Sequence, residues 1–163
     1  MSFSNRSDTI SVPPLAGLGQ LLPRLAARWQ DRAALVTEDR TLSYDELNHL
    51  ASQVAHGLTR RGVQEGDRVS LLSQNRWEWI AAYHGVLRCG AVVNPLNVML
   101  TGEELVHILN DSGAKVLMAS RERLEAVSAA LQDASSLSRT ICFDEGLATA
   151  ESFVDMLGES DES

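Results

Sequence analysis

A recurring order of capped helix, glycine and short apolar strand constrains the fold of this chain more than any other feature. Ser43, Asn75 and Thr101 each stand three residues before a Glu. With this spacing the first side chain accepts the third helical N–H, and the Glu accepts the N–H of the capping residue. A glycine, which readily takes the left-handed conformation that ends a helix, follows each segment at positions 62, 90 and 113. The pattern therefore predicts three helices with defined starts and ends.

Short apolar runs follow these glycines and predict the strands of one sheet. A pair of strands is also predicted earlier, at 33–37 and 40–42. Strands that alternate with helices indicate a parallel sheet that is buried on both faces. The predicted fold class is therefore α/β, a mostly parallel sheet with helices on both faces. The later strands are predicted at residues 68–73, 91–93, 115–119 and, after a polar-rich helix near 121–132, at 139–143.

Two of the predicted helices differ in how their apolar residues are distributed. In the helix at 44–61, apolar residues recur on one face and polar residues occupy the other. The helix at 76–88 is apolar on all sides and carries Trp77, Trp79 and Tyr83. Because such a helix is buried on most sides, we expect these rings to contact either the remainder of a larger domain or a second copy of the chain.

Composition and charge limit the function classes that are open to this chain. Its 163 residues include 22 acidic and 14 basic ones, which gives a formal net charge of −8. This sign opposes nucleic-acid binding, and no apolar run is long enough to span a membrane. Residues 1–17 lack the apolar centre of a signal peptide, and Cys89 and Cys142 are expected to be buried free thiols. These features favour the cytoplasm and one domain over 18–158, between a flexible lead (1–17) and an acidic tail (159–163).

The histidines and glycines do not form a pattern of metal or phosphate ligands. His49 and His56 lie two helical turns apart, about 10 Å along the axis, which is too far for one shared metal ion. Gly17 and Gly19 resemble half of a dinucleotide fingerprint, but no strand precedes them and Leu22 replaces the third glycine. These patterns therefore assign no catalytic, cofactor-binding or metal-binding residue.

Six short segments carry a resemblance to a known family. Each is weak alone, but together they extend in order over about 75 residues. They resemble the N-terminal segment of the acyl-CoA synthetase and AMP-forming, adenylate-forming superfamily, which includes luciferases and the adenylation domains of peptide synthetases. Within this superfamily, the segments most resemble those of fatty-acid and aryl-acid CoA ligases. The segments are residues 41–47, 62–69, 75–79, 90–97, 100–105 and 111–116.

The resemblance implies an activity that these residues do not show by themselves. The family couples a carboxylic acid to ATP with Mg²⁺, forms an acyl-adenylate with release of pyrophosphate, and lets the CoA thiol displace AMP. Its Ser-, Thr- and Gly-rich phosphate loop and its adenylating lysine have no counterpart in this chain. The resemblance therefore implies a segment of an acid–CoA ligase that is catalytically incompetent alone and that binds no cofactor by itself.

One position departs from the family pattern. Many relatives carry Arg immediately before the leucine that precedes the helix cap, and in some of them it approaches a phosphate of CoA. Met99 occupies that position here, so no CoA contact is transferred to it. Asn97 and Met99 are retained as candidates for the lining of an acyl or CoA channel, beside the simpler interpretation that they pack in a loop.

Two other functions are weighed against the ligase. A free-standing, non-catalytic α/β module would bind a protein partner through its apolar helix and an open sheet edge. An unrelated flavodoxin-like domain is disfavoured, because the predicted strand–helix junctions lack a cluster of glycines that could hold phosphate.

Overall fold

The computed structural model describes residues 17–159. After a 3₁₀ turn at Leu18–Gln20, its helices are α1 (Leu21–Trp29), α2 (Tyr44–Arg60), α3 (Trp77–Arg88), α4 (Gly102–Ser112), α5 (Arg121–Val127) and α6 (Phe153–Gly158). Its strands are β1 (Ala33–Val36), β2 (Thr41–Ser43), β3 (Arg68–Leu72), β4 (Val92–Pro95), β5 (Ala114–Ala119), β6 (Arg139–Cys142) and β7 (Glu151–Ser152). Predictions for residues 1–16 and 160–163 lie outside the described residues.

The main sheet is parallel and its strand order reverses once. The order is β4-β3-β5-β6-β7, and every neighbouring pair is parallel. The chain therefore runs from β3 outward to β4, and then returns past β3 to β5. A separate antiparallel pair, β1 and β2, precedes the sheet, so both the parallel sheet and the early strand pair are confirmed.

Helices cover both faces of the sheet, as predicted. Side chains alternate between the faces along β5: Val116 and Met118 pack on α2, α3 and α6, while Leu117 and Ala119 pack on α4 and α5. A third cluster joins α1 and β2 to the outer side of α2 and α3. Among the described helices, none combines the length and the apolar character that a membrane crossing requires.

Two of the three predicted capping boxes are present. The hydroxyls of Ser43 and Thr101 accept the N–H groups of Glu46 and Glu104, and each carboxylate accepts the N–H of its capping residue. The third was wrong. Helix α3 has Arg76 at its N-cap without a side-chain cap, so Asn75 does not cap it.

The predicted glycine stops are confirmed, because φ is 85° at Gly62, 78° at Gly90 and 63° at Gly113. A side chain at these φ values would be strained. The helix predicted near 121–132 is shorter in the structure: α5 ends at Val127, and a 3₁₀ turn follows at Ala130–Asp133. No sequence pattern predicted β7 and α6, although these elements supply part of the cover expected for α3.

Candidate functional site at the carboxyl ends of the strands

The reversal of strand order determines where a site is expected in this fold. The connections that leave β3 and β5 depart toward opposite faces, and in open α/β sheets ligands bind in the crevice at such a point. Three junctions meet there: residues 73–76 after β3, Ser120 after β5, and residues 143–144 after β6. The side chains that these junctions carry are therefore the first candidates for function.

Arg76 forms an ion-paired centre at this edge. Its Nε and Nη2 atoms donate to the two carboxylate oxygens of Glu78, each at 2.8 Å. Its Nη1 atom donates to Oδ1 of Asp144 at 2.9 Å. Glu78 is only 8% exposed, so its carboxylate depends on Arg76 for compensation of its charge. We name these three residues the Arg76 clasp.

The clasp connects the start of α3 to the start of α5. The second oxygen of Asp144, Oδ2, accepts the backbone N–H of Arg121 at 2.7 Å. Burial alone would raise the pKa of Asp144, but the hydrogen bonds from Arg121 and Arg76 outweigh it and lower that pKa below 3.8. The hydrogen bonds that Arg76 donates to Glu78, opposed by burial and reinforced by the bond to Asp144, raise the pKa of Arg76 above its ordinary value. Asp144 and Arg76 are therefore held in their charged forms.

A groove of about 870 Å³ lies beside the clasp, between the β1–β2 pair and α3. Trp77 forms part of its wall, and the guanidinium of Arg40 lies 4.6 Å from the centre of that ring. Val36, which is 71% exposed, lines the groove as well. Apolar and polar groups are mixed along this surface, and no nucleophilic side chain is paired with a base there.

These residues do not fit a nucleotide by themselves. The junctions after β3, β5 and β6 lack a glycine-rich turn whose N–H groups could surround phosphates. The cation at the edge, Arg76, already binds two carboxylates. Within residues 17–159, the chemistry of this edge is thus that of a structural connection between α3, α5 and the sheet.

Asn97 and Met99 follow β4 at the same end of the sheet, but they do not line the groove. Oδ1 of Asn97 accepts the N–H of Met99 at 2.9 Å, which shapes the turn. The Met99 side chain is 81% exposed. Their place in an acyl or CoA channel stays a prediction.

The histidines of α2 and α3 lie apart from the clasp. His49 and His56 are exposed on α2. His84 packs edge-on against Tyr83, and burial, together with the charge of Arg88, lowers its pKa. Within the described part of the chain, no three His, Cys, Asp or Glu side chains come together where they could hold a metal ion.

Packing accounts for the glycine near the amino end and for the two cysteines. A Cβ on Gly19 would lie 2.4 Å from the carbonyl oxygen of Leu87, so this glycine allows the 3₁₀ turn at Leu18–Gln20 to approach the end of α3. Cys142 is buried and Cys89 partly buried, and both are free thiols. Burial raises the pKa of both thiols, which leaves them poorly suited to act as nucleophiles at neutral pH.

The sequence patterns did not predict the clasp. They gave no role to Asp144, and they assigned Glu78 to the capping box predicted at Asn75. The signal that could have identified both residues is their position, since each follows the carboxyl end of a parallel strand.

Comparison with known proteins identifies the family to which this chain belongs. A family model described as AMP-binding enzyme matches residues 22–162. The chain belongs to the AMP-binding enzyme family. It is 38% identical over 116 residues to a methyl-dioxo-octahydro-indenyl propanoyl:CoA ligase of Mycobacterium tuberculosis, covering 71% of this chain and 23% of that protein. It is 35% identical over 113 residues to the medium/long-chain-fatty-acid–CoA ligase FadD6 of the same organism, covering 69% and 19%.

Solved structures of AMP-binding enzymes share the fold. The anthranilate CoA ligase AuaEII, crystallised with anthranoyl-AMP, superposes with a TM-score of 0.85 at 27% identity, covering 91% of this chain and 29% of that one. The resemblance to the N-terminal segment of this superfamily is thereby confirmed. The chain spans about a fifth of the length of the curated relatives that it matches. Because the chain matches part of an AMP-binding domain, the alternative of a free-standing module is not favoured.

Proposed function

We propose that this chain is the N-terminal scaffold of an AMP-forming carboxylic acid–CoA ligase. The observation that carries the proposal is the family match over residues 22–162, together with the fold that this chain shares with the ligase AuaEII. The whole enzyme would join a carboxylic acid to the AMP portion of ATP with release of pyrophosphate, using Mg²⁺, and would then pass the acyl group to the thiol of CoA.

A fatty or aryl acid is the proposed substrate class, with the enzyme acting in cytoplasmic fatty-acid or aryl-acid metabolism. The relatives named above are ligases of a fused-ring propanoyl acid, of medium- and long-chain fatty acids, and of anthranilate. All three are apolar or aromatic acids, which supports this class over small polar acids.

The role of this segment would be to position the rest of the domain. The Arg76 clasp joins α3 and α5 at the carboxyl edge, where the remaining chain of a whole ligase would dock. The half-buried rings of Trp77, Trp79 and Tyr83 form the proposed contact with that remainder. Trp79 and Tyr83 stack at 5.6 Å and offer one continuous aromatic surface.

Enzyme assays and the gene sequence test the scaffold role. The purified 163-residue chain, given ATP, Mg²⁺ and a panel of fatty and aryl acids, should release no acid-dependent pyrophosphate, because its sequence contains no counterpart of the phosphate loop and adenylating lysine that would position ATP. Turnover that persists through repurification would contradict the scaffold role. Reading the coding sequence past Ser163 tests the ligase assignment: a Ser/Thr/Gly-rich loop ending in Pro-Lys-Gly supports it, and an immediate stop codon favours the partner-binding module.

Without the remainder of the domain, the aromatic surface should drive self-association. Burying a Trp or Tyr contributes about 25 cal/mol per Å² over roughly 150–250 Å² per ring. Light scattering across a concentration series, with tryptophan fluorescence recorded in parallel, should show concentration-dependent association. A cooperative monomer at every concentration would argue against this contact.

A further inference from the structure

A strained turn joins the end of α1 to the start of β1. We define the Gln30 turn as residues 29–32, in which the N–H of Arg32 donates to the carbonyl of Trp29 at 2.8 Å. Gln30 has φ 40° and ψ −105°, and it is the only non-glycine residue with a positive φ among residues 17–159. A side chain is strained at this φ, because its Cβ crowds the neighbouring backbone. The surrounding structure must therefore hold Gln30 in place.

Two hydrogen bonds fix the backbone of Gln30. Its N–H donates to the carbonyl of Ala26 at 2.8 Å and ends α1, and its carbonyl accepts the N–H of Asp45 at 3.1 Å at the start of α2. The N–H of Tyr44 donates to the carbonyl of Arg32 at 3.0 Å. The turn thereby satisfies two of the N–H groups that the first turn of a helix leaves without partners. The strain at Gln30 results from making these bonds to both helices at once.

The Gln30 turn is also the base of the β1–β2 pair. Strand β1 begins at Ala33, directly after the turn, and β2 ends at Ser43, directly before the N–H that the carbonyl of Arg32 accepts. The strands have four and three residues, and within residues 33–43 only Leu42 is fully buried. A two-stranded pair of this size is marginally stable by itself. Its position therefore depends on what holds its base and its tip.

The tip of the pair contacts α3. The N–H of Thr37 donates to the carbonyl of Arg40 at 2.9 Å, which closes the turn between the strands. The guanidinium of Arg40 lies 4.6 Å from the centre of the Trp77 ring, which forms part of the wall of the groove beside the clasp. Because the strands between base and tip are short and paired, a change in the direction of the Gln30 turn moves Arg40 relative to Trp77.

We propose that the strained Gln30 turn positions the β1–β2 pair: it fixes the direction in which the pair leaves α1 and so holds Arg40 against Trp77 at the groove. Strain of this kind persists only where surrounding contacts determine the backbone, and the bonds to Ala26 and Asp45 do so here. Gln30 acts through Arg40 and is a positioning residue. This inference concerns the fold of the chain and holds whether or not the proposed ligase function is correct.

Urea denaturation of the full 163-residue chain tests the strain, with Gln64→Gly as the matched control. Glycine takes a positive φ without strain, so Gln30→Gly should raise the urea midpoint and slow hydrogen exchange at the N–H groups of Tyr44 and Asp45 by about threefold or more. Gln30→Ala keeps the strain and should leave the midpoint nearly unchanged. Gln64 is also an exposed residue outside helices and strands, but its φ is not positive. Gln64→Gly should lower the midpoint, because glycine there adds freedom to the unfolded chain.

The indole N–H signal of Trp77 in a ¹⁵N-correlated NMR spectrum tests the positioning. Arg40→Gln removes the cation from the ring and gives the reference position of the signal without that contact. Gln30→Val disfavours the positive φ further, because its side chain is branched at Cβ. It should move the Trp77 signal toward the Arg40→Gln position, whereas Gln30→Gly should leave the signal where the parent chain has it.

The proposal is overturned if Gln30→Gly lowers the urea midpoint as Gln64→Gly does, or if Gln30→Val folds and leaves the Trp77 signal unchanged. Should Gln30→Val fail to fold, Arg40→Gln provides the reverse measurement. If tip and base are coupled, losing the contact with Trp77 should speed hydrogen exchange at Tyr44 and Asp45 by about twofold or more. Unchanged exchange at these two N–H groups would then overturn the proposal.

Discussion

The amino ends of α3 and α4 begin with similar sequence patterns but are held in different ways. At α4, the hydroxyl and N–H of Thr101 exchange hydrogen bonds with Glu104 within one turn. At α3, the Glu that could complete such a box is instead bound by Arg76, which also binds Asp144, 68 residues away along the chain. One helix start is thus stabilised locally and the other by the tertiary fold.

The difference shows that a charged hydrogen-bond partner can replace a predicted capping box. Asn75 offers an uncharged amide to the helix end, whereas the guanidinium of Arg76 offers charge-assisted bonds to two carboxylates. Hydrogen bonds between ionised groups are roughly twice as strong as those between neutral groups. Glu78 therefore turns toward Arg76, and the helix begins one residue later, at Trp77.

Removing the cation of the clasp should have the largest effect. Arg76→Ala leaves the carboxylate of Glu78, which is 8% exposed, without a partner. We expect the free energy of unfolding to fall by about 2–4 kcal/mol, measured by urea denaturation. Arg76→Lys keeps the charge without the paired geometry and should cost less. A loss for Arg76→Ala below about 0.5 kcal/mol would show that the clasp does not hold the start of α3.

Replacing the capping residues should distinguish a helix start that is capped locally from one that is not. Thr101→Ala removes a hydroxyl that accepts a helical N–H and should cost about 0.5–2 kcal/mol; Ser43→Ala should behave alike. Asn75→Ala removes no cap and should change stability by less than about 0.5 kcal/mol. Urea denaturation of the three variants and the parent chain measures these changes in the free energy of unfolding.

His56→Ala is a suitable control for these variants, because it alters an exposed residue of α2 away from either end. It should also stay within about 0.5 kcal/mol of the parent chain. If Asn75→Ala costs as much as Thr101→Ala, then α3 is capped locally in solution.

The parts of the fold that the sequence predicted are those with local causes. Ser43 and Thr101 cap the helices that follow them, and Gly62, Gly90 and Gly113 end helices in the left-handed conformation. Each depends on residues within a few positions along the chain. Strand β7 and helix α6 escaped prediction, because they are too short to carry a periodic pattern and are held by distant residues such as Arg61.

The clasp escaped prediction for the same reason. Nothing near Asp144 in the sequence indicates Arg76, and only the neighbouring positions of β3, β5 and β6 in the sheet bring the two together. The resemblance to a family predicted the fold and the class of relatives, but it gave no information about a charge contact specific to these side chains. Asn97 and Met99, which came from that resemblance, stay untested.

The clasp should also affect how the free energy of unfolding depends on pH below about pH 4, and this effect should be smaller than those above. The pKa of Asp144 is lower in the folded chain than its ordinary value of 3.8, through Arg121 and Arg76 and against the effect of burial. Its contribution to stability is therefore present above about pH 4 and is lost as pH falls through the folded pKa. Asp144→Asn should flatten the pH dependence of unfolding below about pH 4. A curve parallel to that of the parent chain would contradict this shift.

A double-mutant cycle between Arg76 and Asp144 tests most directly the claim that α3 is anchored by the carboxyl edge of the sheet. The parent chain, Arg76→Ala, Asp144→Ala and the double variant are compared by urea denaturation, which separates the pair from the bond between Asp144 and Arg121. We expect a favourable coupling energy of about 1–2 kcal/mol. A coupling energy within about 0.3 kcal/mol of zero would mean that the two residues contribute independently and would contradict the tertiary anchoring of α3.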